Sequence, residues 1–245
     1  MIDTVLSKAF QRYEPEHMPG FEPQDSIVEV ISCDVKNSNT LTIVFPPWHA
    51  SNSLSKILQA RLAFNKSSSM LYNFDHRMLS YNAQMVADSF EYTADVIAAE
   101  IDKQQADFKN INLVGFSLGN VALSLVTART QLFNNVAMVV PGATLAWPFM
   151  NGQRTQRMSD GYKEKGYTVK ALNDGAWSNL APAKHVEALV GHNLSVVLAQ
   201  RDKYIPYESG QELVRAMWDV NLAPAVQVTN HGHVATVIEY SLGII

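Results

Sequence analysis

Asn112-Leu113-Val114-Gly115-Phe116-Ser117-Leu118-Gly119-Asn120-Val121-Ala122 is the stretch on which the reading of this chain turns. An apolar run stops at Gly115, turns through Ser117, passes Gly119 and opens into a helical pattern. Gly-x-Ser-x-Gly between a strand and a helix demands a sharp, strained turn, in which any side chain at the two glycines collides with backbone. The same turn projects Ser117 outward, where a base and a substrate can reach it. Five residues also arise by chance, so the rest of the chain has to support the reading.

Outward from this stretch, apolar strands alternate with amphipathic helices. Before it come a β-branched segment from Ser26 to Asp34, the short apolar run Leu41–Phe45 ended by Pro46-Pro47, and Met70–Phe74. Helical stripes cover Ser53–Phe64 and Gln84–Gln105, where Val86, Phe90, Ala94, Ile97 and Ile101 recur every three or four residues. After it come a helix over Val121–Leu132 and strands at Val136–Val140, Leu194–Ala199 and Ala225–Thr229. Helices near Pro182–Leu189, Tyr207–Trp218 and Val234–Leu242 fill the gaps. This order predicts an α/β fold: a mostly parallel central sheet with helices on both faces. The beat fails at 144–168, read as a small cap insertion over one end of the sheet, and residues 1–24 read as an N-terminal arm. Residues 1–245 otherwise read as a single domain.

Composition narrows the function. The chain has 245 residues, is 47% hydrophobic and carries a formal charge of -4, so no basic stripe is available for nucleic acid. Cys33 stands alone, which excludes an internal disulfide and leaves a thiolate metal site short of ligands. Met1-Ile2-Asp3-Thr4-Val5 lacks the basic start and apolar core of a signal peptide, and no run suits a transmembrane helix. The expectation is a cytoplasmic protein with no cofactor and no metal; the sequence assigns no oligomeric state.

From about Ser26 onward the chain resembles the α/β-hydrolase fold family, in which a Gly-x-Ser-x-Gly nucleophile elbow is followed in chain order by an acid and a histidine. The resemblance implies three catalytic residues. Ser117 is the nucleophile. Val196-Val197-Leu198-Ala199-Gln200-Arg201-Asp202-Lys203-Tyr204-Ile205-Pro206 matches the strand, loop, Asp-x-x-aliphatic-Pro pattern and points to Asp202 as the acid, with Asp174 as a competitor. Asn230-His231-Gly232-His233-Val234 follows the last strand and offers two bases, of which His233, leading into an apolar helix, fits the pattern better than His231. The set suits the chemistry: imidazole accepts the serine proton, and the carboxylate orients the imidazole.

One oxyanion donor is expected to be the N–H of Leu118. The second comes, in relatives, from the loop after the family's third strand, here Phe45-Pro46-Pro47-Trp48-His49-Ala50. Neither proline has an N–H, so the expected donor is Trp48, with His49 behind it. In the insertion, Trp147, Phe149 and Met150 are candidate substrate-binding residues roofing an apolar cleft, while Arg154, Arg157, Lys163 and Lys165 read as a solvated face. Asn120 is expected to cap or pack beside the turn, and His17, His76, His185 and His192 to lie at the surface.

The resemblance implies a serine hydrolase acting on a small-molecule carboxylic ester or thioester with a lipophilic part. An acyltransferase using the same residues, and a catalytically silent binding protein of the same fold, are the alternatives.

Overall fold

The computed structural model describes residues 21–48, 52–152 and 155–245. The arm up to residue 20, with His17, and also His49 and Arg154, lie outside the described residues.

Seven strands form one sheet in the order β1-β3-β2-β4-β5-β6-β7. They are β1 (Ile27–Cys33), β2 (Thr40–Phe45), β3 (Ser68–Phe74), β4 (Asn110–Phe116), β5 (Asn135–Val139), β6 (Asn193–Ala199) and β7 (Ala225–Thr229). Every neighbouring pair is parallel except β1 with β3, so the sheet is parallel with one antiparallel edge strand. The connections β2–β3, β3–β4 and β6–β7 run through helices α1 (Asn52–Phe64), α2 (Ala83–Gln104) and α7 (Tyr207–Asp219); α3 (Gly119–Thr127) joins β4 to β5, and α8 (His233–Leu242) closes the chain.

Both faces of the sheet are covered, and the strands read accordingly as near-continuous apolar runs. In β2 the period of two sends Leu41, Ile43 and Phe45 into one core with α2, α3 and α7, and Val44 into a second core with Leu58 of α1 and Val237 of α8. At the amino-terminal ends of β4, β5 and β6, Asn112, Asn135 and Asn193 stand in register. The Asn135 amide donates to Asn112 Oδ1 at 2.7 Å, and the Asn193 amide to Asn135 Oδ1 at 3.0 Å, a ladder that pins the register of three strands.

Two expectations are corrected. The helix expected over Val121–Leu132 ends at Thr127, where Gln131 Nε2 and Arg129 Nη1 donate to the carbonyls of Thr127 and Leu125. Pro182–Leu189 is helical over the expected bounds, as a 3-10 helix. The 144–168 stretch is more regular than its composition suggested. It holds α4 (Ala146–Asn151) and α5 (Gln156–Glu164), followed by α6 (Val169–Asp174).

These short helices cannot bury an apolar face alone, and one tryptophan anchors them. Trp177, 1% exposed, meets Phe149 of α4 edge-on at 4.7 Å and Tyr162 of α5 at 5.5 Å. Its indole N–H donates to the Ala83 carbonyl at the start of α2 at 2.9 Å. Tyr162 O–H donates to Ser80 O at 3.0 Å, and burial pushes its phenol pKa up. No helix among the described residues is long and apolar enough to cross a membrane.

Trp177→Ala should therefore lower unfolding stability by about 3–5 kcal/mol, the usual cost of emptying an aromatic core site. Denaturant titration measures it. An unchanged midpoint would mean that the α4–α6 region is not part of the cooperative core.

Candidate active site

The sheet places the carboxyl ends of β2, β4, β5, β6 and β7 along one edge, in register at Phe45 with Gly115, Phe116 with Val139, and Ala199 with Thr229. From β2 the chain moves outward to β3, then returns to the other side of β2 as β4. The connections leave β2 and β4 in opposite directions, and open α/β sheets bind ligands in the crevice such a reversal leaves at the strand ends.

Ser117 sits in that crevice, between β4 and α3, with φ 52°. A non-glycine residue in the left-handed region is strained by about 1–3 kcal/mol and persists only where neighbours hold it. Here Ser117 N–H donates to Val139 O at 3.0 Å, and the Asn120 N–H donates to Ser117 O at 3.0 Å. The flanking glycines are required by close approach. A Cβ on Gly119 would lie 2.2 Å from Phe45 O and 2.6 Å from Pro46 O, and one on Gly115 would lie 2.5 Å from Asn120 Oδ1.

Asp202 follows β6 and His233 opens α8 after β7. His233 Nδ1 and Asp202 Oδ2 are 2.6 Å apart, with the side chains 7% and 2% exposed. The other carboxylate oxygen, Oδ1, accepts from the backbone N–H groups of Tyr204 at 2.8 Å and Ile205 at 2.9 Å. Both oxygens are therefore satisfied, which a buried carboxylate requires. The Tyr204 ring packs edge-on against His233 at 5.4 Å. The competitors sit elsewhere. His231 is half exposed and faces Glu239 across 3.3 Å, and Asp174 pairs with Lys170 on the exposed side of α6.

A cavity of about 270 Å³ opens at this edge and brings Ser117, His233, Leu118 and Trp48 to one space. It is close to the lower end of the usual size range of small-molecule clefts. Its walls are almost entirely apolar: Leu54 and Ile57 of α1, Val121 of α3, Val237 and Ile238 of α8, and Phe149 of α4 among others. No Lys, Arg, Asp or Glu lines it among the described residues. The Leu118 N–H, at the amino-terminal end of α3, is taken up by no hydrogen bond among the described residues.

Of the three candidate wall residues in the insertion, only Phe149 lines the cavity. Trp147 is 44% exposed and Met150 is buried in the core, so neither reaches it. One helix cannot turn residues 147, 149 and 150 to one side, since successive side chains advance by about 100°; Leu145, Pro148 and Gly152 share the cavity side instead. Arg157, Lys163 and Lys165 do not line the cavity; Lys165 binds Tyr81 O and Lys163 faces Asp160. Sequence reasoning missed Tyr204 against His233 and the walls supplied by α1 and α8. Their apolar spacing was visible as helix periodicity, which does not distinguish a core face from a cavity face.

Gly119→Ala should destabilise the protein by about 1–3 kcal/mol or more, because its methyl group would strike two backbone carbonyls that have no side-chain freedom to yield. Thermal unfolding reads the change. Wild-type stability in this variant would show that the end of β2 is not fixed against α3.

No protein-family model matches the sequence, and no curated protein matches it either. Solved structures do. An esterase from Pyrococcus furiosus superposes with a TM-score of 0.61 at 12% identity, covering 95% of each chain. An acylaminoacyl peptidase from Pyrococcus horikoshii gives 0.61 at 11% identity over 98% of this chain and 41% of that one. A puromycin-hydrolyzing peptidase from Mycobacterium tuberculosis gives 0.57 at 11% identity over 83% of this chain and 33% of that one. The chain thus spans well under half of the two peptidases and nearly the whole length of the esterase. With the sheet order, the parallel pairing and the strand-end crevice already established, this likeness identifies the architecture: the chain has the α/β-hydrolase fold.

Proposed function

We propose that this protein is a serine hydrolase that cleaves small carboxylic esters or thioesters through an acyl-enzyme on Ser117. The observation that carries the reading is a serine held at positive φ and a histidine that line one apolar cavity, with a buried aspartate bound to that histidine. A serine hydroxyl becomes a useful nucleophile at neutral pH when a positioned imidazole takes its proton. In this reading His233 Nε2 accepts the Ser117 proton as Oγ attacks the acyl carbonyl. Asp202 holds Nδ1–H, which fixes the tautomer that leaves Nε2 free to accept.

The oxyanion that forms is received by the N–H of Leu118 and, as the second donor, the N–H of Trp48. His233 then gives its proton to the leaving alcohol or thiol. Water enters, loses a proton to His233 and attacks the acyl carbon. The acid departs as the proton returns to Ser117. Every step uses side chains and backbone of this chain and water. The uncharged walls favour an apolar acyl or alcohol part, and the cavity volume favours a short one.

Labelling with a fluorophosphonate tests the nucleophile: wild type should react and Ser117→Ala should not. Hydrolysis of p-nitrophenyl esters graded by acyl length should peak at short chains. Ser117→Ala and His233→Ala should each lower kcat on the order of 10⁶-fold, and Asp202→Asn on the order of 10⁴-fold. His231→Ala should stay within about threefold of wild type, as an exposed side chain away from the reacting atoms. Equal labelling of wild type and Ser117→Ala would sink the hydrolase reading. Labelling without hydrolysis, but with product when an alcohol or amine acceptor is added, would reassign the protein as an acyltransferase.

A further inference from the structure

We infer that Asn120 is the positioning residue of this site, acting through the backbone of Ser117, which it ties to the neighbouring strand. The inference rests on Ser117 being the nucleophile. Asn120 is 1% exposed, on the first turn of α3, and borders the cavity. Its amide nitrogen has two N–H donors, and both are used: one on Ser117 O at 3.0 Å, the other on Val139 O at 3.0 Å. Val139 O also accepts from Ser117 N–H, and Ser117 O also accepts from Asn120 N–H, each at 3.0 Å. The carboxamide therefore closes a ring of hydrogen bonds around the peptide units on both sides of Ser117.

What that ring holds is strained in two places. Ser117 has φ 52°, and Val140, the residue after Val139, has φ 47°. A β-branched residue in the left-handed region is rarer still than a serine there. Each of the two carbonyls that Asn120 binds belongs to, or directly precedes, one of these residues. Val140 follows β5 and leads into Gly142, Thr144 and Leu145, which also line the cavity. A single side chain thus couples the turn that presents the nucleophile to the turn that begins another part of the cavity wall.

The other polar atom of the Asn120 side chain argues against a role in stability alone. Its Oδ1 is buried and has no hydrogen-bond partner among the described residues. It is directed at Gly115, whose missing side chain makes room for it. An unpaired buried acceptor works against the fold, and an apolar residue would avoid that cost while losing both donors. The site keeps the donors. The backbone of Ser117, and with it the direction of its Cα–Cβ bond, is fixed by bonds that an apolar side chain cannot supply.

The test compares wild type, Asn120→Ala and Asn120→Ser on a short p-nitrophenyl ester, with fluorophosphonate labelling of Ser117 and circular dichroism at the assay temperature. In folded Asn120→Ala, kcat and the labelling rate should fall together by about 10–100-fold, as expected for a misplaced nucleophile, while KM stays within about threefold. Asn120→Ser, with one hydroxyl donor, should fall between Ala and Asn. A purely structural residue would lower the melting temperature and leave kcat of the folded protein unchanged, which overturns the inference while wild-type labelling keeps the hydrolase reading intact. If neither variant folds, Asn120 is a folding residue and the inference fails. Absence of labelling in wild type would remove the hydrolase reading and this inference with it.

Discussion

A methyl group at position 119 would come within 2.2 Å of Phe45 O. The amino-terminal end of α3 lies so close to the end of β2 that only hydrogen fits between them, and the geometry of the crevice follows from that contact. It sets how far the loop after β2, carrying Trp48, can stand from the loop after β4, carrying Ser117. It also forces the chain through positive φ at 117, since the strand must reverse into a helix within two residues. The strain is local and its compensation is local: the hydrogen bonds of Ser117 and Asn120 to each other and to Val139.

Asp202 and His233 are held by a different kind of constraint. Asp202 and His233 arrive on separate strand-to-helix connections, at the ends of β6 and β7, which are paired in register. Gln200 N–H donates to Thr229 O and Arg201 N–H to His231 O, so the two loops continue the strand pairing past the sheet edge. That extension brings the carboxylate to 2.6 Å from the imidazole without either side chain having to search for the other. The two backbone N–H groups on Oδ1 then fix the carboxyl group from behind, so neither oxygen is buried without a hydrogen-bond partner.

Much of this was legible in the sequence because it is encoded locally. Alternating apolar strands and amphipathic helices announce a parallel sheet with two covered faces, and Gly115 and Gly119 mark the turn by what they lack. Strand ends are readable from prolines and polar loops, so Asp202 and His233 could be set at the right edge without knowing their separation. What stayed hidden depends on distant partners. The helix after Ser117 stops at Thr127 without a glycine or proline at its end, and side chains beyond it take up its last carbonyls. The helices α4 and α5 form where composition looks irregular, since Trp177 supplies apolar surface to both. The expectation that Asn120 caps or packs beside the turn fits its bond to Ser117 O, but its reach to Val139 O on another strand is not encoded locally.

The insertion shows why cavity and core cannot be separated from pattern alone. Trp147, Phe149 and Met150 are equally apolar in the sequence, yet they divide among solvent, cavity and core. Phe149 is the one with two roles. It borders the cavity and packs edge-on against Tyr162 at 5.2 Å and Trp177 at 4.7 Å. Thr155 Oγ1 donates to the Phe149 carbonyl at 2.5 Å and so fixes the end of α4. A wall backed by close-packed aromatic rings cannot shift to admit a larger group without opening the core behind it, because packed interiors yield little to added volume. The size of the cavity beside Ser117 is therefore tied to the same aromatic contacts that pack α4 and α5, and cavity shape and stability in this region are not independent.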